Sequence, residues 1–323
     1  MRPFSLARPR TLDDALELVG SGASALAGGT DLLGLMKAGV AAPERIVDLS
    51  GVEGLGGWES VRGRGMRIGA LTRLVDIERS EELARALPIL HAALADTATA
   101  QLRAMGTLGG NLLQRNRCWY FRDDAFHCWL KGGSRCFARE GENGYHAILG
   151  AQECVIASPG DLAPALMAYD AQVELRSLSG TREIPLADLY VVPHGNDRRE
   201  HTIQEGELIT AVVVPDAALT RTGTFIKQMD RKAWSFALVT VAAAARVRDH
   251  TLRDVRIVLG GVAPVPWRAR EAERVLEGRA LDEQASLAAA DLAVAGAEPL
   301  SRNAYKVPLA REIVRRAVLR LLA

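Results

Sequence analysis

All four cysteines of this 323-residue chain fall between Cys118 and Cys154. The intervals between Cys118, Cys128, Cys136 and Cys154 are nine, seven and seventeen residues. There is no Cys-x-x-Cys pair, so a zinc ribbon or finger fits the spacing poorly. The flanking residues Arg117, Arg122, Asp123, Asp124, Lys131 and Arg135 are not a core pattern. His127 and His146 lie in the same segment. On residues alone three readings stay open. The thiols are small buried side chains, or two disulfides in an oxidising compartment, or ligands of a metal cluster whose negative charge the basic neighbours offset. In each case four cysteines are too few to replace a core. The 48% apolar content supplies one.

At this length two domains, or three lobes, are expected. Lys and Arg number 40 against 39 Asp and Glu, a net charge of +1. Nothing in that balance points to nucleic acid or an acidic lipid surface. The longest apolar run, near Phe236–Val247, is far short of the ~20 residues of a membrane span. The opening MRPFSLARPRTLDDALEL has no apolar stretch of the kind a secretory signal needs.

Hydrophobic spacing and caps outline the elements. Thr11 precedes a helix with Asp13 and Asp14 in its first turn, and Gly20-Ser21-Gly22 ends it. Leu32–Lys37 reads as a short helix, and Arg45–Leu49 and Met66–Ala70 as strands. Thr72 is positioned to cap a helix up to Arg79, and Ser80 a second through Leu94. Strands are expected at Val155–Ala157, Gln172–Arg176, Leu208–Val214, Thr222–Gln228 and Arg256–Ala263, with a helix opening at Ser158-Pro-Gly-Asp. Phe236–Val247 fits a strand or a buried helix equally. Helices follow at Arg268–Glu277, Asp282–Ala295 and Ser301–Leu322. Pro193–Glu207 has the composition of a linker.

Two glycine clusters stand out. Ala27-Gly28-Gly29-Thr30-Asp31 lies between a strand-like and a helix-like segment, and Gly106-Thr107-Leu108-Gly109-Gly110-Asn111 follows later. Glycine permits positive φ and a close approach to backbone N–H groups, and a turn entering a helix favours an anion. Neither cluster is a Walker loop or a Gly-x-Gly-x-x-Gly motif. Each alone is as consistent with an ordinary turn, whereas two together suit a diphosphate held from both sides.

With these residues in view, the chain resembles the flavin-binding medium subunit of the molybdenum hydroxylases, the family of xanthine dehydrogenases, carbon monoxide dehydrogenases and aldehyde oxidoreductases. The stretches that carry the resemblance are AGGTDL at Ala27–Leu32, GTLGGNL at Gly106–Leu112, SPGDLAPALMAYDA at Ser158–Ala171, FIKQMDRKAWSFALVTVAAA at Phe225–Ala244 and NAYKVPLAREIVRRA at Asn303–Ala317. They run nearly end to end. The cysteine segment is an insertion, similar to that of bacterial periplasmic aldehyde oxidoreductases whose flavin subunit carries a 4Fe–4S cluster. The flavin subunit of 4-hydroxybenzoyl-CoA reductase also has such an insertion.

The resemblance implies an α+β fold. Residues 1–54 and 55–214 would form two subdomains of a PCMH-type FAD-binding unit, with the iron–sulfur insertion at about 112–154. Residues 215–323 would form a C-terminal domain of sheet plus helices. It implies that Leu26, Ala27, Gly28, Gly29, Thr30, Asp31, Leu32 and Leu33 hold the FAD pyrophosphate, with Thr107, Gly110, Asn111 and Gln114 on the second side. Asp161 would bind the adenosine portion, Leu189 would offer its backbone near the flavin, and Lys227 would tune the flavin. Read as residues, Asp161 is equally a helix cap and Lys227 a solvated strand lysine. Cys118, Cys128, Cys136 and Cys154 would ligate the 4Fe–4S cluster. Trp234 and Phe236 depart from the family pattern and either pack on the flavin or fill the core, the core being the favoured expectation.

By the same resemblance the chain is one subunit of a three-subunit oxidoreductase. Molybdopterin would lie in a large partner and 2Fe–2S clusters in a small one. Electrons would pass through FAD to an external acceptor, with an aldehyde as substrate. A xanthine dehydrogenase-like or hydroxybenzoyl-CoA reductase-like complex is the neighbouring alternative. A free-standing flavin oxidase of the vanillyl-alcohol type lacks support, because no substrate domain is evident. From another class, a zinc-stabilised scaffold without redox role uses the same cysteines. The expected compartment is the periplasm, reached with a signal-bearing partner, or the cytoplasm.

Overall fold

A computed structural model describes residues 1–232 and 234–322. Three sheets organise the chain. The first is parallel, in the order β1 (Ser5–Ala7), β3 (Arg45–Asp48), β2 (Ser24–Leu26). The helices Leu12–Gly20 and Leu32–Lys37 connect its strands. Thr11 caps the first of these, its Oγ1 accepting from Asp14 N at 3.2 Å. Ala15 and Leu16 on that helix are buried against Val47, Leu49 and Leu55.

The second sheet has five strands in the order β4 (Trp58–Val61), β5 (Gly65–Gly69), β8 (Leu208–Pro215), β6 (Gln172–Ser177), β7 (Gly180–Pro185), all antiparallel. β4 and β7 carry too few apolar residues to stand out in sequence, because both lie at sheet edges. Pro88 starts a new helix, Pro88–Ala95, so the expected helix through Leu94 is two, Glu81–Ala86 and Pro88–Ala95. Proline is favoured at the first position of a helix and disruptive inside one. Ser80 caps the first of the pair.

Thr72 does not cap the helix Leu74–Arg79. Its hydroxyl donates to the Gly57 and Gly69 carbonyls instead, at 2.9 and 2.7 Å. Val155–Ala157 forms no strand. Pro193–Glu207 is not a linker. It lies between β7 and β8 of one sheet, and its Arg198 and Glu200 hold the cysteine segment, as described below.

The third sheet is antiparallel, in the order β12 (Trp267–Arg268), β11 (Thr251–Gly260), β10 (Val239–Arg248), β9 (Thr222–Gln228). Asp249 and His250, both with positive φ, make the tight turn between β10 and β11. Within Phe236–Val247 the strand begins at Val239, and Phe236–Leu238 belong to the loop before it. Val239, Val241, Ala243 and Ala245 pack under the helices Arg270–Leu276, Glu283–Ala293 and Lys306–Leu319. Ala242 and Ala244 face the core of the second sheet. Burial on both faces removes the alternation that would have marked β10 as a strand. No helix among the described residues is long and apolar enough to cross a membrane.

Candidate functional site

The two glycine clusters lie against each other. A Cβ on Gly28 would sit 1.9 Å from the Met105 carbonyl oxygen, so only glycine lets the first loop touch the entry to the second. Gly29 has φ +71°, which allows the chain to turn into the helix Leu32–Lys37. Thr107 caps the helix Leu108–Leu112, its Oγ1 accepting from Gly110 N at 3.2 Å.

Where the loops meet, a cleft of about 350 Å³ opens. Thr30, Asp31, Thr107, Gly110, Asn111, Gln114, Asp161 and Lys227 line it. Leu74, Leu102 and Ala98 add apolar surface, and Trp234 and Phe236 form a wall. These two aromatics are exposed rather than core residues, because the loop that carries them stands clear of the third sheet. Ala233, quoted with them in the sequence, lies outside the described residues. Leu26, Ala27, Gly28, Gly29, Leu32 and Leu33 shape the loop from behind the cleft. Leu189 is not brought to it. Its side chain is buried in the core of the second sheet, and its carbonyl accepts from Thr202 N at 2.9 Å.

Asp161 and Lys227 form a buried ion pair, Nζ to Oδ2 2.8 Å. Lys227 also donates to the Asp96 carbonyl at 2.8 Å, and Thr97 Oγ1 donates to Asp161 at 3.3 Å. Asp161 caps no helix N–H, and Lys227 is not solvated. Burial pushes the Asp161 carboxyl above its usual range, against the pull of Lys227 and Thr97. Three buried polar atoms in this cleft have no hydrogen-bond partner among the described residues: Asn111 Oδ1, Arg117 Nε and Asp161 Oδ1. Buried polar groups are nearly always satisfied. Orphans gathered in one cleft, beside two glycine loops and an aromatic wall, fit a dinucleotide with anionic and planar parts.

The cysteine segment is tied to this cleft. Asp31 Oδ1 accepts from Arg117 at 2.6 Å and Arg122 at 2.7 Å, and its Oδ2 from Arg115 N at 2.8 Å. Arg117 also lines the cleft, donates to Gln114 Oε1 at 2.9 Å, and lies 4.6 Å over the Phe236 ring. Glu200 accepts from Arg115 Nε at 2.5 Å and from Asn116 N and Nδ2 at 3.0 Å. Asn116 Oδ1 in turn accepts from Cys118 N at 3.0 Å. Arg198 covers the Trp129 ring at 4.7 Å and donates to the Gly133 carbonyl at 3.1 Å.

Cys118, Cys128, Cys136 and Cys154 line one small cavity, walled by Phe121, Trp129, Leu130, Phe137 and Ile156. All four are free, which excludes the two-disulfide reading for this structure. Among the described residues no three Cys, His, Asp or Glu side chains converge closely enough to hold a single metal ion. Burial pushes the Cys118 thiol up to about 12, against backbone N–H groups of Phe121 and Tyr120. A hydrogen bond from Cys154 holds Cys136 down to about 6, and burial and that same contact push Cys154 up. His146 Nε2 lies 3.2 Å from Cys118 Sγ.

Residues 2–217 match the family model for the FAD binding domain in molybdopterin dehydrogenase, and residues 224–321 that for the CO dehydrogenase flavoprotein C-terminal domain. The chain belongs to the FAD-binding medium subunits of the molybdenum hydroxylases. It is 39% identical to the aldehyde oxidoreductase FAD-binding subunit PaoB of Escherichia coli K12, across 90% of this chain and 88% of that one. It is 30% identical to the carbon monoxide dehydrogenase medium chain of Afipia carboxidovorans, across 98% and 95%. A carbon monoxide dehydrogenase structure from Hydrogenophaga pseudoflava superposes with a TM-score of 0.79 at 26% identity, covering 99% and 98% of the two chains. The flavoprotein subunit therefore has the α+β fold of its family and an oxidoreductase's role.

Several residues of this medium subunit escaped the sequence reading. Glu200, Asn303 and Lys306 act through partners far along the chain. Arg117 and His146 were visible as neighbours of the cysteines, but nothing local aimed one at the cleft or the other at Cys118.

Proposed function

We propose that this flavoprotein subunit binds both FAD and a 4Fe–4S cluster and carries electrons in a heterotrimeric molybdenum-containing aldehyde oxidoreductase. Electrons from the molybdopterin-bearing large subunit and the 2Fe–2S small subunit would reach an external acceptor through FAD. Bound FAD accepts electrons singly and releases them as a pair. The chain's own residues would bind and orient it: the first glycine loop, Gly28 to Asp31, would bring its N–H groups to the diphosphate, and Asp161, Asn111 and Arg117 present polar atoms unpaired among the described residues. Lys227 sits beside them with its charge already matched by Asp161.

The observation that carries this reading is that Arg117, lining the FAD cleft, immediately precedes Cys118, lining the four-cysteine cavity. Four thiols lining one cavity are a donor set for a 4Fe–4S cluster, in which each cysteine would take a different iron. The neighbouring cleft with its two glycine clusters favours the redox reading over the zinc scaffold. The aldehyde assignment rests on the 39% identity to the E. coli aldehyde oxidoreductase subunit.

The test is the complex co-expressed with its partners and mixed anaerobically with an aromatic aldehyde or with a purine. Flavin absorbance should bleach with the aldehyde and stay with the purine. Bleaching only with the purine, or with neither, overturns the assignment.

A further inference from the structure

The segment 143–147 crosses behind the cysteine cavity and is fastened there by the start of the last helix. Asn303 Nδ2 donates to the His146 and Ala147 carbonyls at 3.1 and 3.0 Å. Lys306 is fully buried, and its Nζ donates to the carbonyls of Tyr145, His146 and Gly261 at 3.0, 3.1 and 2.7 Å. Asn143 Oδ1 accepts from Arg302 N at 2.9 Å, and His146 N donates to the Asn143 carbonyl at 3.0 Å. The backbone of His146 is thus fixed from both sides by the C-terminal domain.

Its ring points at sulfur. His146 is buried, and Nε2 lies 3.2 Å from Cys118 Sγ, while Nδ1 has no partner among the described residues. A neutral imidazole has one N–H. Placed on Nδ1, that proton has only the Asn143 carbonyl nearby, which already accepts from His146 N and lies outside good hydrogen-bond geometry; placed on Nε2, it meets the sulfur. A histidine that serves only as core filling has no need of a lysine and an asparagine buried to hold its carbonyl.

We propose that His146 donates a hydrogen bond to the Cys118 sulfur that raises the reduction potential of a cluster held there, with Asn303 and Lys306 as positioning residues. This rests on the reading that the four cysteines hold a cluster. A hydrogen bond to a ligating sulfur favours the reduced, more negative state, so such bonds are among the determinants of cluster potential. His146 supplies the side-chain donor to the Cys118 sulfur.

The experiment compares the wild-type complex with H146F and N303A. Iron and sulfide are assayed per chain, and the potential of the cluster signal that a Cys118→Ser variant alters is followed by redox titration with low-temperature EPR. H146F, which keeps the bulk and removes the donor, should retain iron and titrate at a lower potential. N303A should shift the same way by less. An unchanged potential in iron-loaded H146F overturns the proposal. Should H146F fail to load iron, N303A decides, since every ligand and His146 itself remain: a lower potential supports the proposal and an unmoved one overturns it. A wild-type complex without iron in this subunit removes the cluster reading itself, a separate result recorded before any titration.

Discussion

Arg117 donates to Asp31 across 2.6 Å, joining the residue that ends the first glycine loop to the residue that precedes the first cysteine. Asp31 could have capped its helix, yet it makes no such bond. Its carboxylate is turned toward Arg117, Arg122 and the Arg115 N–H. The cysteine segment is therefore anchored on the first glycine loop itself.

That anchor should respond to acid. Burial pushes the Asp31 carboxyl up, but Arg117, Arg122 and the Arg115 N–H together outweigh it and hold it below its usual value. A carboxyl depressed in the folded state contributes stability that is complete above the ordinary value near ~3.9 and is lost as pH falls through the lower folded value. Amide hydrogen exchange over residues 115–122 should stay slow at neutral pH and accelerate only below the ordinary carboxylate range. D31N should accelerate it at neutral pH, with a loss of ~2 kcal/mol for two charge-assisted bonds. Slow exchange in D31N at pH 7 would contradict the anchor.

The Asp161–Lys227 pair makes an asymmetric prediction. D161N leaves a buried ammonium without its carboxylate and should cost about 3–5 kcal/mol. K227M leaves a carboxyl that burial already pushes up, so Asp161 can take a proton and the loss should be smaller and pH-dependent. The double variant D161N/K227M should recover part of the single D161N loss. Chemical unfolding of the four proteins, arranged as a double-mutant cycle, measures this; additive losses would show that the pair is uncoupled.

Gly28 and Gly34 lie in the same loop–helix unit and should behave oppositely. An added Cβ at Gly28 meets the Met105 carbonyl oxygen at 1.9 Å, whereas at Gly34 it meets nothing within 4 Å. Gly28→Ala should force the two loops apart, costing ~1–3 kcal/mol and most of the FAD affinity. Gly34→Ala should be neutral or stabilise by up to ~1 kcal/mol, as alanine does inside a helix. Thermal melts and flavin fluorescence titration report both, and equal losses at the two positions would refute the loop contact.

Local signals in the sequence were legible where the physics is local. Thr11 and Ser80 cap the helices they precede, because a cap and its N–H partner lie three residues apart. The two glycine clusters meet at the cleft, where Gly28 has to be glycine because it lies against the Met105 carbonyl that leads into the second cluster. Thr72 misled, since its hydroxyl found carbonyls at the β-sheet edge rather than its own helix. Glu200 sits in a stretch of Pro, Gly and charge that looks like a linker, and its partners Arg115 and Asn116 are far earlier in the chain. Lys306 is a lysine in a basic helix by sequence, and its carbonyl partners arrive only when two domains meet. β10 hides its period because both of its faces are covered.

The most direct measurement is the iron, acid-labile sulfide, zinc and flavin content of the purified complex. It should be paired with the same assay on a complex in which Cys118, Cys128, Cys136 and Cys154 are all serine. The account predicts one FAD per medium subunit in both, and about four more irons in the wild type than in the variant. Equal iron in the two complexes, or zinc in place of the difference, would contradict it.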